Sequence, residues 1–286
     1  MNLYQSAMSA NAASLGLNWI YNIPYLEKLE KKGEDLLFQK ADPAKFKRAR
    51  KAVNAYPNMD VGDVSLQGEI LKWLHEHLNN GGEFTPEAYR KLIYQHIKPG
   101  GPYEGWVETY GKQLIYNQLQ TSLEVDQSPI EINNEDLIGF IPYIAAKIHD
   151  KTNDDAFELA KVFTSNTDYR AFYDVFDVIL ESDGKNKADT LKNAIQHAPK
   201  HYGFKLASAL NSQTPKDVLK IVDTSCAIGY ALPLIFTIVH HASSFEEACR
   251  INTRTGGASS DRGTLIGALM HPFDPAPKHV TDTVNL

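Results

Sequence analysis

Apolar residues recur at three- and four-residue spacing along most of the chain, and this is the signature of helices that bury one face. In VFTSNTDYRAFYDVFDVIL, residues 162–180, Phe172, Val175, Phe176 and Ile179 form such a stripe. Start signals stand where the stripes begin. Asp42-Pro43 precedes AKFKRARKAVNAY, Thr85-Pro86 precedes AYRKLIYQHI and Thr214-Pro215 precedes KDVLKIV, each pairing a capping side chain with a proline at the first helical position. Ser244 with Glu247 spells a capping box ahead of ACRINTR. Helices are expected near 2–19, 63–79, 216–241 and 259–270. Strand-like alternation is confined to PIEIN around Ile130 and Ile132. The reading is all-α.

NNGGE at 79–83, KPGGPY at 98–103 and ESDGKNK at 181–187 carry turn chemistry and read as surface loops. No repeat, low-complexity tract or long linker divides the 286 residues, so a single domain over 1–286 is expected. The residues after His271 include three prolines and are expected to trail over the surface.

Charge narrows the function classes. With 29 basic and 35 acidic residues the net charge is −6, so a nucleic-acid partner is not expected. The longest apolar run, Cys226–Val239, is interrupted by Gly229 and Pro233 and is too short to span a membrane. Two cysteines, Cys226 and Cys249, make no disulfide framework, which fits a reducing, cytoplasmic setting.

Three segments carry candidate chemistry. In TRTGGASSDRGTLIGALM, residues 253–270, Gly256 and Gly257 permit unusual backbone geometry, and Ser259, Ser260 and Asp261 are first-turn types. Gly263, Gly267 and Ala268 make a small-residue face suited to close helix packing. A glycine turn opening onto a helix start exposes N–H groups and can hold a phosphate. Arg262 in the first turn opposes the helix dipole, so an acid or bound anion is its expected partner. NMDVGDVSLQGEILKWL at 58–74 places Asp60 and Asp63 before a helix. SANAASLGLNWIYN at 9–22 is a small-residue helix with Asn11, Asn18 and Trp19. Tight capping and packing explain much of each segment equally well. The ten histidines fall into no metal-binding spacing.

Taken together, the segments resemble the ADP-ribosylglycohydrolase family. Residues 226–270, from CAIGYALPLIFTIVHH through SSFEEACRINTRTGG to the Gly/Ala-rich helix, are similar in order and spacing to the family's C-terminal signature. SANAASLG and VGDVSLQ stand where its first and middle signatures fall. The resemblance implies an all-α orthogonal bundle and a centre where aspartates hold two magnesium ions beside an ADP-ribosyl group. Here Val61 and Gly62 replace a Thr and an Asp, Ala258 and Ser260 replace two aspartates, Asp261 replaces a Thr, and Asn11 replaces an Asp. Asp63 alone keeps a ligand carboxylate. Asn18-Trp19-Ile20-Tyr21, Gly62-Asp63, Gly256-Gly257 with Arg262, and GPYEGWVETYGKQLIYN at 101–117 resemble a divergent, crystallin-like branch.

The resemblance therefore implies one of two functions. One is a hydrolase of a glycosidic bond in an ADP-ribosyl or related nucleotide-sugar substrate, with Asp63 and Asp261 as its carboxyl pair. No cofactor is then expected, or magnesium only if part of the centre survives. The other is a non-catalytic binding or structural member. In both, Trp19, Tyr103 and Trp106 are expected to line the pocket, and Arg262 to pair with Asp63, Asp261 or an anion.

Overall fold

A computed structural model describes residues 2–123 and 132–286. It contains α1 (Leu3–Leu15), α2 (Ile23–Lys31), α3 (Pro43–Ala49), α4 (Leu66–Asn79), α5 (Pro86–Ile97) and α6 (Thr109–Ser122). These are followed by α7 (Ile141–Ile148), α8 (Asn153–Ala160), α9 (Asp168–Leu180), α10 (Lys187–Ala194) and α11 (Gly203–Asn211). The last are α12 (Pro215–Val218), α13 (Ile228–His241), α14 (Phe245–Thr255), α15 (Ser259–Met270) and α16 (Lys278–Thr281). Among the described residues there are no strands, only isolated bridges such as Ile20 to Gly257. The fold is all-α. The alternating stretch at 129–133 lies mostly outside the described residues.

One apolar cluster runs from Tyr4 to Val280, and Phe172, Val175, Phe176 and Ile179 of α9 are fully buried in it. At its centre α1 lies against α15. A Cβ on Gly263 would fall 2.3 Å from the Ala10 carbonyl oxygen, and one on Gly267 would fall 2.2 Å from that of Ser6. No side chain larger than hydrogen fits there, so the small-residue face sets how closely the two helices approach. This contact brings Asn11 of α1 to the first turn of α15.

Several expected boundaries shift, each for a local reason. The helix expected over 2–19 ends at Leu15, because Gly16 packs against the Gln39 backbone with no room for a Cβ. The segment after Pro43 stops at Ala49, where Arg50 takes φ 64. The expected 216–241 helix is two, α12 and α13. Between them Thr224 turns its carbonyl toward Ala258 N–H and Arg262. Pro233 sits inside α13 and cannot donate to the Gly229 carbonyl; Lys205 Nζ supplies that bond at 3.0 Å.

The segment after His271 does not simply trail over the surface. Ala276 is buried and donates its N–H to Ser6 Oγ, and Val280 is buried too. No helix among the described residues is long and apolar enough to cross a membrane.

Candidate functional site

The turn between α14 and α15 is a closed polar knot. Gly256 and Gly257 take φ 74 and 69, which a side chain would strain. Gly256 N donates to Thr253 O, Gly257 N to Ile20 O, Ala258 N to Thr224 O and Ser259 N to Gly257 O. Ser260 N donates to Asn18 Oδ1 at 3.0 Å. The phosphate cradle expected at this turn is therefore filled by the chain's own acceptors.

Arg262 is fully buried and does not pair with Asp63 or Asp261 as expected. Its Nε donates to Asn252 Oδ1 at 3.2 Å, its Nη1 to Thr224 O at 2.9 Å and its Nη2 to Gly256 O. Gly256 caps α14, so a cation that is misplaced at the start of α15 is well placed at the end of α14. Burial lowers its pKa to about 10, with Asp261 opposing the shift.

Asn11 is equally occupied. Its amide nitrogen donates to Ser65 Oγ, Ser260 O and Thr264 Oγ1, and its Oδ1 accepts from Ser65 N and Ser260 Oγ. Ser65 is the N-cap of α4, yet its hydroxyl makes no capping bond. It donates instead to Asp261 Oδ1 at 3.0 Å.

Asp63 lies apart from this centre. It is half-buried on a turn, where Oδ2 accepts from Asp60 N at 2.8 Å and Oδ1 from Asn285 Nδ2 at 2.8 Å. Its carboxylate lines an open cleft of about 320 Å³ that also presents Glu69, Trp73, His96, Tyr103 and Glu104. The expected pair of Asp63 with Asp261 is not formed. Two residues along the chain, Ser65 takes the place opposite Asp261.

A second buried acid of this region is Glu108. Glu108, 5% exposed, is the N-cap of α6 but makes no capping bond. Its Oε1 has no hydrogen-bond partner, and neither has Oδ2 of Asp261, itself 1% exposed. An unpartnered buried carboxylate oxygen is uncommon and carries a large desolvation penalty. Burial pushes the Asp261 carboxyl up to about 7, with Asp136 adding to the rise and the Ser65 hydroxyl and Arg262 opposing it. Glu108 is pushed well above the carboxylate range by burial, then by Asp261 and Asp136, with Tyr56 and Lys112 opposing.

Aromatic side chains gather in the same region. Trp19 holds φ 63, uncommon for so bulky a residue, and donates its N–H to Gly257 O at 2.7 Å. Its ring meets Trp106 edge-on at 6.1 Å and Tyr56 at 6.5 Å. Tyr103 donates its hydroxyl to Trp106 O at 3.2 Å, and the Tyr56 hydroxyl accepts from Leu66 N at 3.3 Å. Tyr110 is fully buried with an unpartnered hydroxyl. At the outer side Cys226 donates its thiol to Asp136 Oδ1 at 2.9 Å, and burial keeps that thiol protonated.

Asn11, Asn18, Ser260, Asp261, Arg262 and the glycine turn thus come together, with Trp19 and Trp106 beside them. Ser259 is buried there with its hydroxyl unpartnered. Glu108, Tyr56, Ser65, Asn252 and Asp136 belong to the same region and were not singled out from the sequence. For Glu108 the available signal was an acid between Trp106 and Tyr110, but its helix-start position reads as ordinary capping.

A two-magnesium centre does not fit these residues. Asp261 is the one carboxylate at the α14–α15 turn, Asn11 is fully bonded and a guanidinium is buried alongside. Hard dications need several carboxylate oxygens. Among the described residues no three His, Cys, Asp or Glu side chains are grouped to hold a metal. No family model and no curated protein matches the chain.

Proposed function

We propose that the chain is a hydrolase of a glycosidic bond in an ADP-ribosyl or related nucleotide-sugar substrate, working through Glu108 and Asp261 without the two-magnesium centre. The supporting observation is two buried carboxyl groups, each with an oxygen that has no hydrogen-bond partner among the described residues. Glycoside hydrolysis in general employs two carboxyl groups, one protonated as general acid and one acting as base or nucleophile. Glu108, held above the carboxylate range, suits the acid. Asp261, at about 7, suits the base near neutral pH. The substrate class rests on the resemblance of residues 9–22, 58–74 and 226–270, and the cytoplasmic setting on the cysteine content.

The filled glycine turn and the fully bonded Asn11 favour a second reading, a non-catalytic binding or structural protein that keeps the fold. Release of ADP-ribose from an ADP-ribosylated protein, measured with a metal chelator present, separates the two. Under the first reading release persists in the chelator and falls at least about 100-fold in Glu108→Gln and Asp261→Asn. Absence of release from the folded wild type supports the second.

A further inference from the structure

Asp261 has one partnered oxygen, and the donor that partners it is itself held. Asn11 of α1 and Ser65 at the start of α4 are both fully buried. Two groups with no choice of role fix the Asn11 amide. The Ser65 backbone N–H can only donate, and it reaches Asn11 Oδ1 at 2.8 Å. The Ser260 backbone carbonyl can only accept, and it meets Asn11 Nδ2 at 3.1 Å. The amide nitrogen therefore stands 2.9 Å from Ser65 Oγ as its donor. A serine hydroxyl carries one proton. With its oxygen already accepting from Asn11, that proton goes to Asp261 Oδ1 at 3.0 Å.

Three side chains from three helices thus form one chain of donors with a single direction. Ser65 stands at the cap position of α4 and makes no capping bond, because its hydroxyl is spent on Asp261. We propose that Asn11 and Ser65 are positioning residues for Asp261: the amide aims the hydroxyl proton at Oδ1, which fixes the carboxyl group and leaves Oδ2 as the oxygen that exchanges a proton. Oδ2 has no partner among the described residues. A donated hydrogen bond favours the charged form of a carboxyl group, so Ser65 counteracts the burial that holds Asp261 protonated. Arg262 acts in the same direction as Ser65, and the acids Asp136 and Glu108 act against it. Cys226, Tyr21, Tyr56, Tyr103 and Tyr110 sense the same carboxyl and stay neutral. The use of Oδ2 as a base rests on the hydrolase reading, whereas the relay rests on the hydrogen bonds alone.

Carbon-13 NMR of the full chain labelled at its aspartate carboxyls reads the titration of Asp261, with Asp261→Asn assigning the signal. Ser65→Ala removes the donor and should raise the Asp261 midpoint by about one pH unit or more. Ser65→Thr keeps the hydroxyl and should bring the midpoint back. A Ser65 with a structural role only would lower the melting temperature of Ser65→Ala and leave the midpoint in place, and that result overturns the proposal. A wild-type measurement needs no variant to fold. The Asn11 side-chain amide signals should move with the Asp261 midpoint, and should cease to follow it in Ser65→Ala. Amide signals in the wild type that ignore the Asp261 titration overturn the proposal as well. In turnover, the rising limb of the kcat pH profile should shift upward in Ser65→Ala with KM little changed. A midpoint that moves in a chain that releases no ADP-ribose contradicts the hydrolase reading alone. Release with an unmoved midpoint contradicts the relay alone.

Discussion

The α14–α15 turn and the two acids Glu108 and Asp261 are both buried polar regions and end in opposite conditions. At the turn, Arg262, Asn11, Ser260 and the backbone of Gly256 to Ser260 meet partners within the chain. Glu108 and Asp261 keep an oxygen each without a partner among the described residues, though both are as buried as the core. A satisfied polar knot rigidifies a structure, whereas an unsatisfied one destabilises it and persists for another reason. The contrast assigns stability to the turn and makes the two acids the place to test the proposed function. Places where local satisfaction fails are where a functional group is to be sought.

Breaking the turn should have the largest effect. Arg262→Ala leaves the Asn252 side chain and the Thr224 and Gly256 carbonyls without a donor and opens a cavity. The expected loss is about 3–5 kcal/mol, read by chemical denaturation. Arg262→Lys should recover only part of it, because one ammonium cannot span the three acceptors in the guanidinium plane. Full stability in Arg262→Ala would erase the contrast.

Substitution of a buried acid should have the opposite sign. A carboxyl whose folded pKa is raised is bound to its proton more tightly in the folded state than in the unfolded one. Its contribution is fully present below the unfolded value near 4 and is lost as pH rises through the folded value, about 7 for Asp261. At about pH 8 the wild type therefore carries an unfavourable buried charge at Asp261. Asp261→Asn, which still accepts from Ser65, should stabilise the chain there by about 2 kcal/mol. The gain should shrink toward pH 5. Denaturation midpoints of the variant at the two pH values read this directly, and a uniform loss at both would contradict it.

The smallest effect is expected at Asp63. Its bonds to Asp60 N and Asn285 lie at the surface, so Asp63→Ala or Asn285→Ala should cost about 1 kcal/mol or less in thermal melting. Release of ADP-ribose should be unaffected.

Sequence and structure agree where local physics decides. The apolar stripe at Phe172, Val175, Phe176 and Ile179 was legible because periodicity sets which face is buried. The small-residue face at Gly263 and Gly267 was legible because close approach admits no side chain. The break after Val218 was not, since Thr224 leaves the helix to accept from Arg262 and Ala258, some forty residues away. Asn11, Ser260 and Asp261 come together in the structure, but the partners each takes were not legible. Asp63 and Ser65 lie two residues apart on the approach to α4, and only the packing of α1 against α15 selects the serine. Glu108 hid in plain view: as the residue before α6 it has the place of a cap, and its side chain turns inward instead.

The protonation state of the Glu108–Asp261 pair tests most directly whether these acids are held without compensation. Infrared difference spectra between wild type and Glu108→Gln, recorded near neutral pH, report the carbonyl stretch of a protonated carboxyl. The account predicts such a band in the wild type, diminished in Glu108→Gln and perturbed in Asp261→Asn. A wild type in which both groups are fully ionised near pH 6 would contradict it.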